Sequence, residues 1–141
     1  MADNGSDFAR SMSIATSGLR AQAGRMRVIS ENIANAESTS PTAAGDPYRR
    51  KVPTFSSALD RTLDARVVTL GKIGTDGSAF RVKHEPGNPA ADAAGNVKYP
   101  NVNPLVEMTD MREAQRSYEA NLNIISATRR MIQRTLDILK A

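Results

Sequence analysis

Two heptad stripes, one near each end of this 141-residue chain, leave little freedom in how it can fold. Counting from Phe8, positions alternately four and three apart are Phe8, Met12, Ala15, Leu19, Gln22, Met26, Ile29, Ile33 and Ala36, with Gln22 the one polar member. At the other end the same spacing gives Met108, Met111, Gln115, Tyr118, Leu122, Ile125, Arg129, Ile132, Leu136 and Leu139, broken by Gln115 and Arg129. An apolar repeat of this period sustained for about four heptads is the pattern of a coiled-coil seam. A narrow apolar stripe cannot stay dry alone, so each helix is expected to cover the other, or the same helix in a neighbouring molecule. Ordinary core faces share the spacing. Three Phe, three Tyr, no Trp and a middle poor in large apolar residues leave these helices little else to lean on.

The expected fold is therefore α+β: long N- and C-terminal helices paired as an antiparallel coiled coil, with a small central insert rich in β-hairpins and loops. Residues 8–36 and 104–141 form the helix pair, residues 37–103 the insert, and the small polar residues 1–7 a mobile lead-in. The seam is expected at Met12, Leu19, Met26, Ile29, Ile33, Met111, Tyr118, Leu122, Ile125, Ile132, Leu136 and Leu139.

The length fits one domain. Lys and Arg exceed Asp and Glu by 19 to 15, and the surplus is spread evenly, so no basic arm exists at either end. The one tight cluster, Arg49, Arg50 and Lys51, is too short and too poor in stacking aromatics to argue for nucleic-acid binding. The absence of cysteine rules out a disulfide framework, a thiolate metal site and a thiol nucleophile. No basic start followed by an apolar run and a small-residue cleavage site is present, and no run of about 18 apolar residues occurs. Neither general secretion nor membrane insertion is expected, so a chain of this kind working outside the cytoplasm would leave by a machine that reads no cleavable signal.

Along the chain, Ser6 or Asp7 can cap the first helix, which can run to about Ala36 although Gly18 and Gly24 weaken it. Each glycine is either tolerated weakness or the mark of a closely approaching helix. Residues 37–53, ESTSPTAAGDPYRRKVP, read as a long loop whose 48–52 end can pair as a strand. Residues 54–64 read as an amphipathic helical turn or a second loop. Residues 66–73 and 79–84 are β-branched or alternating, and GTDGS between them supplies turn residues, so the spacing predicts a hairpin there. Successive turns at Pro86-Gly87, Asn88-Pro89 and Gly95-Asn96 surround a short strand at 97–99. The last helix is expected after Asn103, with Pro104 in its first turn and Glu107 placed for a capping box.

Reactive chemistry is poorly represented. His84 is the only histidine and stands at a strand end beside Glu85; the serines lie in polar loops with no nucleophile elbow; the glycines form neither a phosphate loop nor a dinucleotide fingerprint. Glu113, Arg116 and Glu119 read as solvated helix charge. No catalytic residue, cofactor or metal is expected. The polar breaks Gln22, Gln115 and Arg129 are either imperfections or register-setting residues of the kind found at seam positions of coiled coils. Asn32 and Asn35 place two amides near a helix end, where they can bond backbone or an adjacent subunit. A C-terminal amide cap accounts for one of them.

These residues carry a resemblance. The segment SENIANAEST at 30–39, with Asn32, Ile33, Ala34, Asn35 and Ala36, resembles the Asn-hydrophobe-Ala-Asn-Ala signature of the bacterial flagellar axial proteins, which include rod, hook and hook-associated subunits. DPYRRK at 46–51, HEPGNPAADAAGNVKYPNVN at 84–103 and MREAQRSYEANLNIISATRRMIQRTLDI at 111–138 narrow it to the basal-body rod proteins, and there to a proximal-rod subunit. The turn Glu85, Pro86, Gly87, Asn88 and Pro89, followed by YPNVN, is the more specific part. The likeness runs from Ser11 onward and departs at the polar start and in the loop at 38–46.

The resemblance implies a structural protein and not an enzyme. It implies export by the flagellar type III apparatus and polymerisation, with itself and other rod proteins, into the drive shaft that crosses the periplasm in the basal body. It also implies that the terminal helices form the inner layer of that tube, while the hairpin region and the 37–53 loop touch adjacent subunits. Two other readings stand beside it: a soluble coiled-coil adaptor or export-linked binding module, and a sister proximal-rod subunit.

Overall fold

The computed structural model describes residues 4–140, residues 4 and 5 by backbone alone. Two long helices and two small antiparallel hairpins make an α+β chain in the order α1 (Asn4–Ala34), β1 (Lys51–Asp60), β2 (Ala65–Thr75), β3 (Arg81–His84), β4 (Asn96–Tyr99) and α2 (Pro104–Lys140). Of the lead-in expected to be mobile, residues 1–3 lie outside the described residues and 4–7 are helical. The helix thus starts before Ser6. Asp7 sits in its first turn, where a carboxylate complements the helix dipole, and pairs with Arg10 at 3.7 Å.

Contacts divide the chain into two compact units, and each takes part of both helices. The first comprises residues up to Met26, Thr54–Lys72 and residues from Glu113 on; the second comprises Arg27–Pro53 and Ile73–Arg112. In the first unit α1 has neighbours on two sides. A Cβ on Gly18 would come within 2.8 Å of the Asn121 side chain on α2, and one on Gly24 within 2.7 Å of Leu70 on β2. Close approach of a helix therefore explains Gly18, whereas Gly24 makes room for a strand. Arg25 meets Glu113 at 3.5 Å, the Ser17 hydroxyl accepts from Val68 N at 3.1 Å, and Arg10 Nε donates to Leu63 O at 2.7 Å.

The first hairpin differs from expectation. The strand at 65–75 pairs back with β1, not forward across GTDGS with 79–84, and residues 54–60 are strand where a helical turn or loop was expected. The decisive turn is at 61–64. Asp60 Oδ1 accepts from Thr62 N at 2.9 Å and Leu63 N at 3.4 Å, while Asp64 takes φ of 45°, a conformation Asp tolerates better than most residues. The GTDGS turn chemistry is used elsewhere: Asn101 Nδ2 donates to Asp76 O at 3.1 Å and Ser78 Oγ at 2.8 Å, tying this bend to the approach to α2. Pro53 is accommodated inside β1 because the sheet has only two strands, so an N–H can be missing at its edge.

In the second unit β3 pairs with β4 from Arg81 opposite Tyr99 to His84 opposite Asn96. Ala90, Val97 and Tyr99 form a small core beneath it. Asn103 Oδ1 caps α2 by accepting from Leu105 N at 3.1 Å, with Pro104 in the first position. Glu107 does not complete a capping box. Its carboxylate is buried and bonded to Asn32 and Arg50, a stronger claim on the side chain than a solvent-exposed N–H.

Candidate functional site

The last turn of α1 and the first turn of α2 meet in the second unit through side chains. Asn32 and Glu107 are each 1% exposed, and Asn32 Nδ2 donates to Glu107 Oε2 at 3.0 Å. Asn32 also clasps the start of β1: its Oδ1 accepts from Lys51 N at 2.9 Å, and its Nδ2 donates to Lys51 O at 2.9 Å. The amide thus pairs with Lys51 as a neighbouring strand would. Tyr48 OH donates to the same Oδ1 at 2.8 Å, which fills the hydrogen-bonding capacity of Asn32. Glu107 Oε1 accepts from Arg50 Nε at 2.6 Å, and the same guanidinium lies 3.7 Å from Asp76 and from Asp110. Lys51 Nζ pairs with Glu31, and Arg49 stacks over Phe80 at 4.2 Å. The basic triplet at 49–51 is therefore occupied within the chain.

Burial first, then the carboxylates of Glu31 and Glu107, push the Tyr48 phenol up to about 12 from its ordinary 10.0. A raised value means that the folded state holds this proton more tightly than the unfolded state. The contribution is complete below about pH 10 and is lost as the pH rises through 12. In a 295 nm alkaline titration, Tyr48→Phe should lack the step near pH 12. Its stability deficit against the parent, about 1 kcal/mol for one hydrogen bond near neutrality, should narrow above pH 10.

Asn35 has the lesser role. Its Nδ2 donates to Glu31 O at 2.8 Å and its carbonyl accepts from Ser38 N at 3.2 Å, so it finishes the helix. Ala36 is buried, its carbonyl held by Arg81 Nη2 at 2.8 Å; Ile33 is half-buried and Ala34 exposed. The Glu85, Pro86, Gly87, Asn88 and Pro89 turn is closed by Asn88 N donating to Glu85 O at 3.0 Å. Tyr99 OH, at 2.8 Å, and Asn88 Nδ2, at 3.1 Å, donate to Glu85 Oε2, and these bonds hold its carboxyl below the usual range. Gly95 at φ 77° lies so near His84 and Pro86 that a side chain there would be strained and crowded. This loop is braced internally and presents no reactive group.

The helix stripes are only half inward. Along α1, Met12, Leu19, Met26 and Ile33 are half-buried and Ile29 is buried, as are Ala15 and Ala36. Along α2 the covered positions include Glu107, Met111, Ala114, Tyr118, Asn121, Ile125, Thr128 and Ile132, again alternating four and three. The expected stripe shares Met111, Tyr118, Ile125 and Ile132 with this set, but its other half is displaced by one residue. Met108, Gln115, Leu122 and Arg129 are exposed, so Gln115 and Arg129 do not interrupt the covered face. The small side chains Ala114 and Thr128 are buried where Gln115 and Arg129 were expected. A count that weights large apolar residues reads past them.

Part of what remains outside is apolar. Leu122 is 42% exposed, Leu136 is also exposed, and Leu139 reaches 78%. A second exposed row, Ile124, Met131 and Ile138, repeats every seven residues, and Ile14 lies with Ile124 in a groove also lined by Ala15 and Asn121. That row was legible in the sequence as a second heptad phase. Gln22 Oε1 is the buried side-chain atom left without a partner among the described residues. Gln22→Leu should therefore raise stability by about 1 to 2 kcal/mol in urea unfolding. Among the described residues no His, Asp and Glu cluster is placed to hold a metal ion, and no helix is long and apolar enough to cross a membrane.

Comparison with known proteins supplies the context for a chain with exposed helical faces and a buried polar joint. The family described as flagella basal body rod protein matches residues 12–40, and that described as flagellar basal body rod FlgEFG protein C-terminal matches 93–138. Asn32 lies in the first region and Glu107 in the second. Among curated relatives, the flagellar basal-body rod protein FlgC of Agrobacterium fabrum is 55% identical over 128 residues, covering 91% of this chain and 92% of the relative. The protein of that name from Bacillus subtilis is 37% identical, covering 92% and 97%, and that from Salmonella typhimurium is 37% identical, covering 89% and 92%. Identity of this extent across almost the whole of both chains shows that this chain belongs to the flagellar basal-body rod protein FlgC family.

Proposed function

We propose that the chain is a structural subunit of the bacterial flagellar rod, built into the proximal drive shaft through its terminal helices. The single observation that carries this reading beyond family membership is the apolar surface left open on α2, where Leu122, Met131, Leu136 and Leu139 are exposed along one long helix. Such a surface on a protein working alone would be an aggregation hazard, whereas in a polymer it is an interface. The helices act as an antiparallel coiled coil. The Gly18 to Asn121 and Arg25 to Glu113 approaches, in which one partner advances as the other retreats, support that pairing.

In this reading the helix pair is the inner layer of the tube, and its outward residues, including Leu122, Leu136 and Leu139, meet neighbouring copies and other rod proteins. The task is stiffness under torque, which needs packing and no reacting group. Export through the flagellar type III apparatus and a final place in the periplasm-crossing part of the basal body follow from the same reading.

Deletion of the gene tests it. Purified basal bodies should lack a rod beyond the inner-membrane ring under electron microscopy and the cells should be non-motile, with both restored by the intact chain. Normal rods in the deletion strain, with the protein of the parent strain recovered in a fixed stoichiometric complex, would establish an adaptor instead.

A further inference from the structure

A seam that repeats every seven residues does not define its own alignment. Shifting α2 along α1 by one heptad, about 10.5 Å at 1.5 Å per residue, places Ala114, Asn121 and Thr128 where their counterparts stood. These side chains are small or flexible and do little to forbid the shift. In coiled coils the alignment is set by a polar group that finds its partner in one register only. Gln22 cannot serve, since its Oε1 has no partner, and Gln115 and Arg129 face away.

We infer that Asn32, Arg50 and Glu107 form a register lock, a set of positioning residues that fixes the alignment of α1 with α2 and of both with β1. Asn32 and Glu107 face each other directly across the two helices at 3.0 Å. Seven residues from Glu107 in either direction stand Ala114 and Pro100, neither of which offers a side-chain acceptor to Asn32 or a carboxylate to Arg50. A shifted pair would thus cost Asn32 one of its two donated bonds and part the Glu107 carboxylate from Arg50. Because Asn32 also holds both backbone groups of Lys51, the same bond set fixes where β1 begins. α1 and α2 are each one continuous helix, Asn4–Ala34 and Pro104–Lys140. The lock stands apart from the rod reading and is tested on the isolated chain.

The chain has no cysteine, so paired substitutions report alignment by disulfide formation. An ideal Cβ on Gly18 lies 3.0 Å from Asn121 Cγ, so Cβ atoms at these two positions stand within reach of a disulfide and mark the native register. With the lock intact, Gly18→Cys/Asn121→Cys should form the bond, while Gly18→Cys with Thr128→Cys or Ala114→Cys should not. Adding Asn32→Leu, Arg50→Met and Glu107→Leu should leave the helical circular dichroism intact and allow a shifted pair to form within about threefold of the native yield. Moving the acid, with Glu107→Leu and Ala114→Glu, should transfer the bond from the 18/121 pair to the 18/128 pair. Retention of 18/121 alone in both variants would overturn the lock. Loss of helical signal in the triple variant would also overturn it, showing that the cluster supports the fold instead of choosing its register.

Discussion

Replacing Arg50 with alanine will destabilise the chain by about 3 kcal/mol or more, the largest effect expected of any single truncation in the insert. The reason lies in what is left behind. Glu107 is 1% exposed, and its Oε1 loses its 2.6 Å partner, while Asp76 and Asp110 lose the cation that stood 3.7 Å from each. A buried carboxylate without its counter-charge pays the desolvation that the pair had offset, and three acids then repel one another. The Arg50 side chain is 23% exposed, so water can reach part of the site and the lower end of the range is expected. Urea unfolding followed at 222 nm measures it. A loss below about 1 kcal/mol would mean that Glu107 is hydrated in solution and the joint is not a buried one. The same physics gives a contrast: Glu107→Leu with Arg50→Met removes both charges and should cost much less than Arg50→Ala, because no orphaned charge remains.

The second large effect concerns assembly and leaves the single chain almost untouched. Leu122 is 42% exposed on α2, so Leu122→Asp should change the stability of the monomer by no more than about 0.5 kcal/mol, as surface substitutions do. In a rod the same carboxylate would be enclosed against a neighbouring subunit, at a cost of several kcal/mol per interface. Multiplied along a polymer this should abolish rod formation and motility. Normal unfolding with lost motility is the expected pair of results; a motile strain would remove Leu122 from the interface.

The sequence revealed the two helices, the Asn103 start of α2, the short strand at 97–99 and the braced turn at 85–89, because each rests on local chemistry: heptad spacing, Pro at the first helical position, turn dipeptides. It misled where a partner distant in sequence decides. GTDGS looked like a hairpin turn, yet Asn101 claims its carbonyls, and the strand before it pairs with residues 54–60 instead. Glu107 stood in a capping-box position, but Asn32, 75 residues away, gives it a better partner. Nothing local in the spacing of Asn32 told a helix-end amide from a buried one. The covered face of α2 was misread by one residue at alternate positions because it includes Ala114 and Thr128, whose smallness makes them poor markers of burial in a hydrophobic count. For the basic triplet the structure adds what each cation does: Arg49 stacks over Phe80, Arg50 pairs with Glu107 and Lys51 pairs with Glu31.

A density map of the flagellar rod, at a resolution that shows side chains, would reveal whether the open side chains of α2 are subunit contacts. Leu122, Met131, Leu136 and Leu139 of each copy should lie enclosed against helices of neighbouring subunits, while Asn32, Arg50 and Glu107 keep their bonds inside one chain. A rod in which these side chains of α2 stay open to solvent, or in which Asn32 bonds across to another subunit, would contradict this.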